Sequence, residues 1–204
     1  MIYILPGMGG DRRMYPGPWQ TLSGSKFIEW PDYAGESSLE EVAARILSLH
    51  EIPDGSTVVG SSLGGMVGCE IARLRALREL VLVGSALHRE EINPCFAHLH
   101  PLIVYPPLRL AQRVAGSLPG ELLRMFSDAD PHFIRAMCRA IFQWRGAAGL
   151  NTPMRRIHGR RDHIISRPVG ADLFVSGRHV IAMTNAAECV AFVAGGQRPT
   201  VRVV

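Results

Sequence analysis

The chain has 204 residues, enough for one domain with a sizeable hydrophobic core. Apolar residues make up 47% of it and charged residues 20%, which is ordinary for a globular protein. The formal charge is +4, but the basic residues are scattered apart from three arginine pairs, so the charge pattern does not indicate a nucleic-acid-binding surface.

The four cysteines are widely spaced and form no CxxC pair, which is typical of neither a zinc site nor a disulfide framework. We therefore expect free thiols in a reducing compartment. The first residues, MIYILPG, lack the basic region of a signal peptide and predict a strand. No apolar run approaches the ~20 residues of a membrane span. The sequence thus predicts a cytoplasmic protein without a membrane partner.

Short apolar runs alternate with helical patterns in the first part of the chain. Strands are predicted in the segments IYIL (2–5), KFIEW (26–30), STVVGS (56–61) and ELVLVGSAL (79–87). The stretch 37–49 has apolar residues at helical spacing and begins with two serines that each precede a glutamate by three residues, which predicts a capped helix. A second helix is predicted over GGMVGCEIARLRA, residues 64–76.

Residues from about 88 to 150 interrupt this alternation. They begin with an irregular proline-rich stretch and continue with two helical patterns, LPGELLRMF (118–126) and DPHFIRAMCRAIFQW (130–144). In the second pattern Asp130 is a candidate N-cap and Pro131 suits the first helical position. The alternation then resumes with strands at 154–159 and 172–177 and a final helix over 184–195.

Alternating strands and helices predict an α/β fold. We expect a three-layer αβα sandwich, with a mostly parallel sheet of about six strands covered by helices on both faces. The chain shows no internal repeat and no flexible linker. Residues 1–204 are therefore expected to form a single domain, with residues 88–150 inserted over the carboxyl edge of the sheet.

The segment Gly60-Ser61-Ser62-Leu63-Gly64 is a G-x-S-x-G motif between a predicted strand and a predicted helix. A serine on such a sharp turn has its hydroxyl exposed at the sheet edge, and close passage of the chain favours glycine two residues before and after it. Ser61 lacks these flanking glycines. The pattern therefore indicates Ser62 as the nucleophile rather than a tightly packed glycine turn.

A serine nucleophile needs a base and a group that orients the base. Asp162 and His179 each follow a predicted strand and a glycine, and the order Ser62, Asp162, His179 suits this kind of site. Asp172 is the rival carboxylate, but it begins a strand and would lie at the wrong end of the sheet. The glycine-rich turn LPGMGGD (5–11) supplies further donors, and we expect the Met8 and Leu63 amides to form an oxyanion hole.

Five segments together resemble the α/β-hydrolase fold family over most of the chain. LPGMGG resembles its oxyanion turn, with Pro6 where histidine is common, and WPDYAGESS resembles the segment after the next strand. GSSLGG resembles the nucleophile elbow, HGRRD the acid loop and GRHVIAMT the histidine loop. The resemblance implies that residues 88–150 are a short helical cap, and that the family's usual leading strand pair is missing because residue 2 already begins the oxyanion strand.

Residues near the expected site are weaker candidates for substrate binding. Arg12 follows the oxyanion turn and could hold a carboxylate or phosphate, although a solvated helix start is the favoured explanation. His163 adjoins Asp162, and Trp144 ends an apolar stripe that could pack the cap or line an acyl pocket. His158 is expected to pack in the core or close to the site. The remaining histidines lack zinc-ligand spacing, so no metal is expected.

These features predict a serine hydrolase that cleaves a carboxylic ester or related acyl bond of a small-molecule substrate, without a cofactor. Thioesterase, C–C hydrolase or lyase chemistry remains possible on the same residues, and a non-catalytic binding protein is the other alternative. The presence of serine, acid and histidine in order favours an enzyme. The sequence does not indicate the substrate or the oligomeric state.

Overall fold

The computed structural model describes residues 1–93, 120–166, 168 and 170–195. Its centre is a sheet of six strands, all parallel, in the order β2-β1-β3-β4-β5-β6. The strands are β1 (Ile2–Leu5), β2 (Ser25–Phe27), β3 (Thr57–Ser61), β4 (Glu79–Val83), β5 (Met154–Gly159) and β6 (Leu173–Val175).

Helices cover both faces of this sheet. The α-helices within the described residues are α1 (Leu39–Leu49), α2 (Leu63–Leu74), α3 (Glu121–Asp128), α4 (Pro131–Gln143), α5 (Ile181–Thr184) and α6 (Ala186–Gly195). Short 3₁₀ helices occur at Arg12–Met14, Gly17–Thr21 and Arg89–Glu91. The predicted three-layer α/β sandwich with about six strands is confirmed.

Alternate residues of each strand enter two separate cores, as the two-residue period of a strand requires. In β1, Tyr3 and Leu5 pack with α1, α2 and α4 on one face, whereas Ile2 and Ile4 pack with Trp19, α5 and α6 on the other. Strands β3 and β4 are buried from Val58 and Leu80 onward on both faces. Their continuous apolar runs therefore suit the middle of the sheet.

Local sequence explains where two helices begin. Ser38 is the N-cap of α1, and its hydroxyl accepts a hydrogen bond from the Glu41 amide at 3.1 Å. The Glu41 carboxylate accepts from the amide of Ser37, one residue before the cap. At α4, Asp130 accepts from the amide of His132 at 2.7 Å, and proline occupies the first helical position as predicted.

Several predicted elements differ in extent, and the strand predicted over 79–87, for example, ends at Val83. The strand predicted over 26–30 ends at Phe27, because the chain then turns so that the Trp30 indole reaches the Gly7 carbonyl at 3.0 Å. The final helix predicted over 184–195 begins at Ala186, because the chain leaves helical geometry at Asn185, and a short helix that was not predicted, α5, precedes it.

The predicted cap insertion is described only in part, because residues 94–119 lie outside the described residues. Within its described part, α4 buries Phe133, Met137 and Ile141 in the core that α1 and α2 share. A single antiparallel bridge joins Ile92 to Ile165 beside the carboxyl edge of the sheet. These contacts place α4 and the start of the insertion next to the site described below.

Candidate active site

Ser62 lies at the turn from β3 into α2. Its backbone has φ 50° and ψ −119°, and it is the one non-glycine residue with positive φ in the described part of the chain. Holding such a conformation costs about 1–3 kcal/mol, so neighbouring structure must enforce it. The Ser62 amide donates to the Val83 carbonyl at 3.2 Å, and the Ser85 hydroxyl donates to the Ser62 carbonyl at 2.6 Å. Residues at the end of β4 thus hold the strained turn from both sides.

Gly60 and Gly64 flank Ser62 where the chain leaves no room for a side chain. A Cβ atom at Gly60 would lie under 3.0 Å from the Gly64 carbonyl. A Cβ atom at Gly64 would lie equally close to the carbonyl oxygens of Leu5 and Pro6. The two glycines of the motif are therefore required by backbone packing, and α2 begins directly against the turn after β1.

The loops after β5 and β6 meet at the same edge of the sheet. The Arg161 amide donates to the Gly177 carbonyl at 2.9 Å, and a Cβ atom at Gly159 would collide with the carbonyl of Arg178. The two loops are in direct backbone contact because these positions lack side chains. This contact brings Asp162 from one loop beside His179 from the other.

Ser62, His179 and Asp162 form a continuous chain of hydrogen bonds. The Ser62 Oγ atom lies 2.8 Å from His179 Nε2, and His179 Nδ1 lies 2.9 Å from Asp162 Oδ2. With the proton on Nδ1 shared with the carboxylate, Nε2 is left to accept the serine hydroxyl proton. Asp172, the rival carboxylate, instead accepts the Arg156 amide at 2.7 Å at the entrance to β6.

The Asp162 side chain is only 1% exposed and is surrounded by donors. Oδ1 accepts the amides of Ile164 and Ile165 at 2.8 and 3.0 Å. Oδ2 lies near the two imidazoles, at 2.9 Å from His179 and 3.2 Å from His158. Burial by itself would raise the pKa of Asp162, but the hydrogen bonds from His158 and His179 outweigh it and hold the pKa well below its usual range. The carboxylate is therefore ionised and able to stabilise a charged imidazole.

The turn after β1 lies beside the serine. A Cβ atom at Gly7 would be in van der Waals contact with Ser62 Cβ at 3.5 Å. The Gly7 carbonyl accepts from Trp30 Nε1 and from the Gly10 amide, each at 3.0 Å, and the Gly7 amide donates to the Met14 sulfur at 3.2 Å. Leu63 is the first residue of α2, where backbone amides have no partner within the helix. The amides of Met8 and Leu63 thus belong to the two backbone segments that border Ser62.

A cavity of about 230 Å³ opens beside Ser62 and His179. Its apolar lining side chains come from the chain after β1, from α2, α3 and α4, from the start of the insertion, and from the loops that follow Asp162 and His179. They are Met8, Met14, Met66, Ile92, Leu122, Cys138, Ile141, Phe142, Ile164, Ile165 and Val180. Ser61 also contributes, beneath Ser62. The serine hydroxyl therefore faces an apolar chamber.

The three residues predicted to contact substrate are placed elsewhere and do not line this cavity. Arg12 is exposed, and its amide donates to Glu29. His163 is also exposed and offers only its backbone carbonyl, to Asn93. Trp144 is 3% exposed because its indole N–H donates to Glu70 at 2.8 Å in the protein interior. The described residues that line the cavity are instead those named above.

Two residues that support the site were missed by the sequence analysis. Ser85 holds the Ser62 carbonyl, and its only sequence signal is a Gly-Ser pair at the end of a strand. Met14 holds the Gly7 amide with its sulfur and lines the cavity, yet an isolated methionine has no recognisable signature. Neither spacing nor composition points to such partners, because both act through contacts formed only in the folded chain.

The described residues contain no group of three or more His, Cys, Asp or Glu side chains placed to hold a metal ion. Among the helices of the same residues, none is long and apolar enough to cross a membrane.

Comparison with solved structures identifies the fold. An enol-lactonase from Burkholderia xenovorans superimposes with a TM-score of 0.74 at 16% identity, over 95% of this chain and 89% of that chain. A hydrolase from Oleispira antarctica gives 0.72 at 14% identity, over 96% and 89% of the two chains. A thermophilic esterase from Thermogutta terrifontis gives 0.67 at 16% identity, over 96% and 88%. The chain therefore has the α/β-hydrolase fold, as the sequence resemblance implied.

The sequence matches no protein-family model and no curated protein. The fold itself hosts several chemistries, so the activity has to be argued from the site.

Proposed function

We propose that this protein is a serine hydrolase that cleaves a carboxylic ester, or a related acyl bond, of a small-molecule substrate through an acyl-enzyme. The observation that carries the proposal is the hydrogen-bond chain from Ser62 through His179 to Asp162, with heavy-atom distances of 2.8 and 2.9 Å. A serine at a strained elbow, a base within reach and a buried carboxylate behind the base are the parts that acyl transfer needs.

In this proposal His179 Nε2 takes the proton of Ser62 as the serine oxygen attacks the substrate carbonyl. The imidazolium that forms is stabilised by the ionised Asp162. The same proton is then given to the leaving alcohol as the carbon–oxygen bond breaks. Water attacks the resulting acyl-serine with His179 again as base, which releases the acid and restores the serine.

The amides of Met8 and Leu63 would bind the oxyanion of each tetrahedral intermediate. Two features support this role: the turn at Gly7 lies beside Ser62, and Leu63 lies at the positive end of α2. Each donor of this kind typically lowers the barrier by ~2.7–4 kcal/mol. The hydrogen bonds to Trp30 and Met14 keep the first turn in place before substrate arrives.

Related structures on this fold include a lactonase and an esterase as well as proteins described only as hydrolases. Ester hydrolysis is favoured over carbon–carbon bond chemistry here because the cavity offers Ser62 and His179 as its reacting groups and, apart from the neighbouring Ser61, is lined by apolar side chains in the described residues. Such a cavity provides a nucleophile, a base and an apolar surface for the acyl chain, and hydrolysis of an ester requires these three.

The test is labelling with a fluorophosphonate probe, which reacts with an activated serine. The native protein is expected to be labelled, Ser62→Ala is expected to be unlabelled, and Ser61→Ala is expected to retain labelling. Hydrolysis of p-nitrophenyl butyrate, followed in the same three proteins, should change in parallel. Absence of labelling in the native protein, or equal labelling of Ser62→Ala, would contradict the proposal.

A further inference from the structure

We propose that the acyl group of the substrate is an uncharged aliphatic chain of medium length; this inference rests on the proposed function. The cavity beside Ser62 is lined by eleven apolar or sulfur-containing side chains within the described residues. They come from segments far apart in the sequence, so the apolar surface is a property of the folded site.

Size limits the acyl chain. The cavity volume is about 230 Å³. If each carbon or oxygen occupies about as much space as a water molecule in the liquid, ~30 Å³, the cavity holds about seven such atoms. Including the carbonyl group, this corresponds to acyl chains of about four to eight carbons, shorter than those of membrane lipids.

The cavity lining includes both buried and exposed side chains. Met66 and Ile165 are 2% and 1% exposed and lie deep in the protein, whereas Leu122 is 41% exposed. Met66 and Ile165 therefore line the interior part of the cavity, whereas Leu122 belongs to its exposed part. A chain that extends from the acyl carbon into this interior contacts methionine and isoleucine side chains.

Charge sets the second limit. A carboxylate or ammonium on the acyl chain would be removed from water among hydrocarbon and thioether groups, which is strongly unfavourable without a paired charge. Ser61, Ser62 and His179 are the polar groups that the described residues contribute to the chamber, and Ser62 and His179 are the reacting groups themselves. None of the described lining residues is an Asp, Glu, Lys or Arg that could pair with a charge on the acyl chain.

The test compares p-nitrophenyl esters of acyl chains from two to sixteen carbons and measures kcat/KM for each. The expected maximum lies between about four and eight carbons, since ~30 Å³ per heavy atom limits the fit. A matched pair, the hexanoate ester and the mono-ester of adipic acid, tests charge at nearly constant length. The charged ester is expected to be hydrolysed at least about 100-fold less efficiently, because its carboxylate is buried unpaired.

Two variants test whether this cavity sets the preference. Cys138→Leu fills part of the chamber and should move the optimum to shorter chains, while Met66→Ala enlarges it and should move the optimum to longer chains. Leu49→Ala, at an exposed position on α1, is the control and should leave the profile unchanged. Fluorophosphonate labelling of each variant shows whether the site is intact.

The outcomes separate this inference from the proposed function. If the native protein is not labelled, the proposed function fails. If it is labelled but prefers the charged ester, or hydrolyses all chain lengths equally, the substrate inference is wrong. An unchanged optimum in both labelled cavity variants would also overturn it.

A second inference concerns His158, which we assign as a positioning residue for Asp162. The imidazole is buried, and its Nε2 atom lies 3.2 Å from Asp162 Oδ2 and 3.0 Å from the Ile165 carbonyl. Both neighbours are acceptors, so Nε2 carries the hydrogen; it donates to the Ile165 carbonyl and lies within ion-pair distance of the Asp162 carboxylate. The other ring nitrogen, Nδ1, is buried without a hydrogen-bond partner among the described residues. This imidazole therefore serves as a donor aimed at the acid.

The Asp162 carboxylate has about four acceptor positions, and each of them faces a donor group of the protein. The amides of Ile164 and Ile165 hold one oxygen, and His158 and His179 hold the other. A carboxylate held in this way cannot rotate away from His179. Without the His158 donor, Oδ2 would be held by His179 alone and its orientation would be less well defined.

The test uses two variants of similar length, His158→Gln, which keeps a donor, and His158→Met, which does not. His158→Met is expected to lower kcat by about 10- to 100-fold, the loss typical when catalytic groups are slightly misplaced, with KM nearly unchanged. His158→Gln should recover most of that loss. Thermal unfolding of both variants measures packing separately.

Equal kcat values for the two variants, whatever their stability, would show that the donor has no role. A loss confined to KM or to thermal stability would show that His158 only packs the interior. If His158→Met does not fold, a kcat of His158→Gln as low as that of Asp162→Asn would equally overturn the assignment.

Discussion

Gly64 at the start of α2 lies against the carbonyl oxygen of Pro6 in the turn after β1, closer than any side chain would allow. This contact joins the segment that carries the serine to the segment that carries the proposed oxyanion donor Met8. The spacing between the two depends on the absence of a single Cβ atom.

Gly64→Ala is therefore expected to be destabilising and damaging to activity. The added methyl group meets backbone atoms that cannot move aside, which typically costs about 1–3 kcal/mol in the free energy of unfolding. Displacement of the first turn should lower kcat/KM at least tenfold, as small misplacements near reacting groups do. Urea unfolding and p-nitrophenyl butyrate hydrolysis measure the two effects.

The matched control for this change is Gly195→Ala at the end of α6, where an added Cβ would meet no heavy atom within 4 Å. It should be neutral or slightly stabilising, because alanine favours a helix by ~1 kcal/mol over glycine. Equal effects of the two substitutions would contradict the role given to the Gly64 contact.

Asp162→Asn is expected to reduce kcat by about 10⁴-fold, because the amide favours the wrong imidazole tautomer and does not stabilise its charged form. Asp172→Asn is the control, since Asp172 is exposed and bonded to the Arg156 amide at 2.7 Å, away from His179. Steady-state kinetics of both variants show whether Asp162 or Asp172 is the acid. A large loss found only in Asp172→Asn would make Asp172 the acid.

Stability should depend on pH through Asp162. Its pKa is lowered in the folded protein by hydrogen bonds from His158 and His179, which outweigh burial, whereas an unfolded Asp has a pKa near ~3.9. The stabilisation is thus fully present above the unfolded value and is lost as the pH falls from ~5 towards the folded pKa.

Urea unfolding of the native protein and of Asp162→Asn, at pH 6 and at pH 3, measures this contribution. We expect the native protein to have a larger free energy of unfolding than Asp162→Asn at pH 6. This difference should narrow at pH 3, because the carboxyl group is then protonated in the unfolded chain while it is still ionised in the folded one. A difference that is constant with pH would show that Asp162 adds no charge-dependent stability.

Trp144→Phe is expected to destabilise the protein without altering substrate binding. The indole N–H donates to Glu70 in the interior, and loss of a partner for a buried polar group costs about 1–3 kcal/mol. KM for p-nitrophenyl butyrate should be unchanged, because Trp144 does not line the cavity.

The control for Trp144 is Arg145→Ala. Arg145 is 62% exposed and lies 3.5 Å from the buried Glu70, which also has Trp144 and Arg73 as partners. Loss of the exposed arginine should therefore cost only ~0–1 kcal/mol. A raised KM with unchanged stability in Trp144→Phe would return Trp144 to the substrate site.

Much of the fold follows from local sequence. Strands β3 and β4 were predictable because central parallel strands are apolar on both faces, and α4 was predictable from Asp130 and Pro131 at its start. The grouping of Ser62, Asp162 and His179 was also predictable in outline, because each follows the end of a strand and parallel strands end at one edge.

Side-chain direction was decided only by the tertiary structure. Arg12, His163 and Trp144 lie close in sequence to site residues or cap helices, yet two of them point to solvent and the third to a carboxylate 74 positions away. Sequence spacing sets which face of a strand or helix a residue occupies, but outside such elements no period constrains it.

The strained turn at Ser62 shows the same division between what the sequence determines and what only the folded structure determines. The motif Gly60, Ser62 and Gly64 can be recognised in the sequence, because a side chain at either glycine would collide with neighbouring backbone atoms. What holds the turn and the acid in place, Ser85 and His158, comes from neighbouring strands. Such partners are set by sheet order and loop packing, and these exist only once the chain has folded.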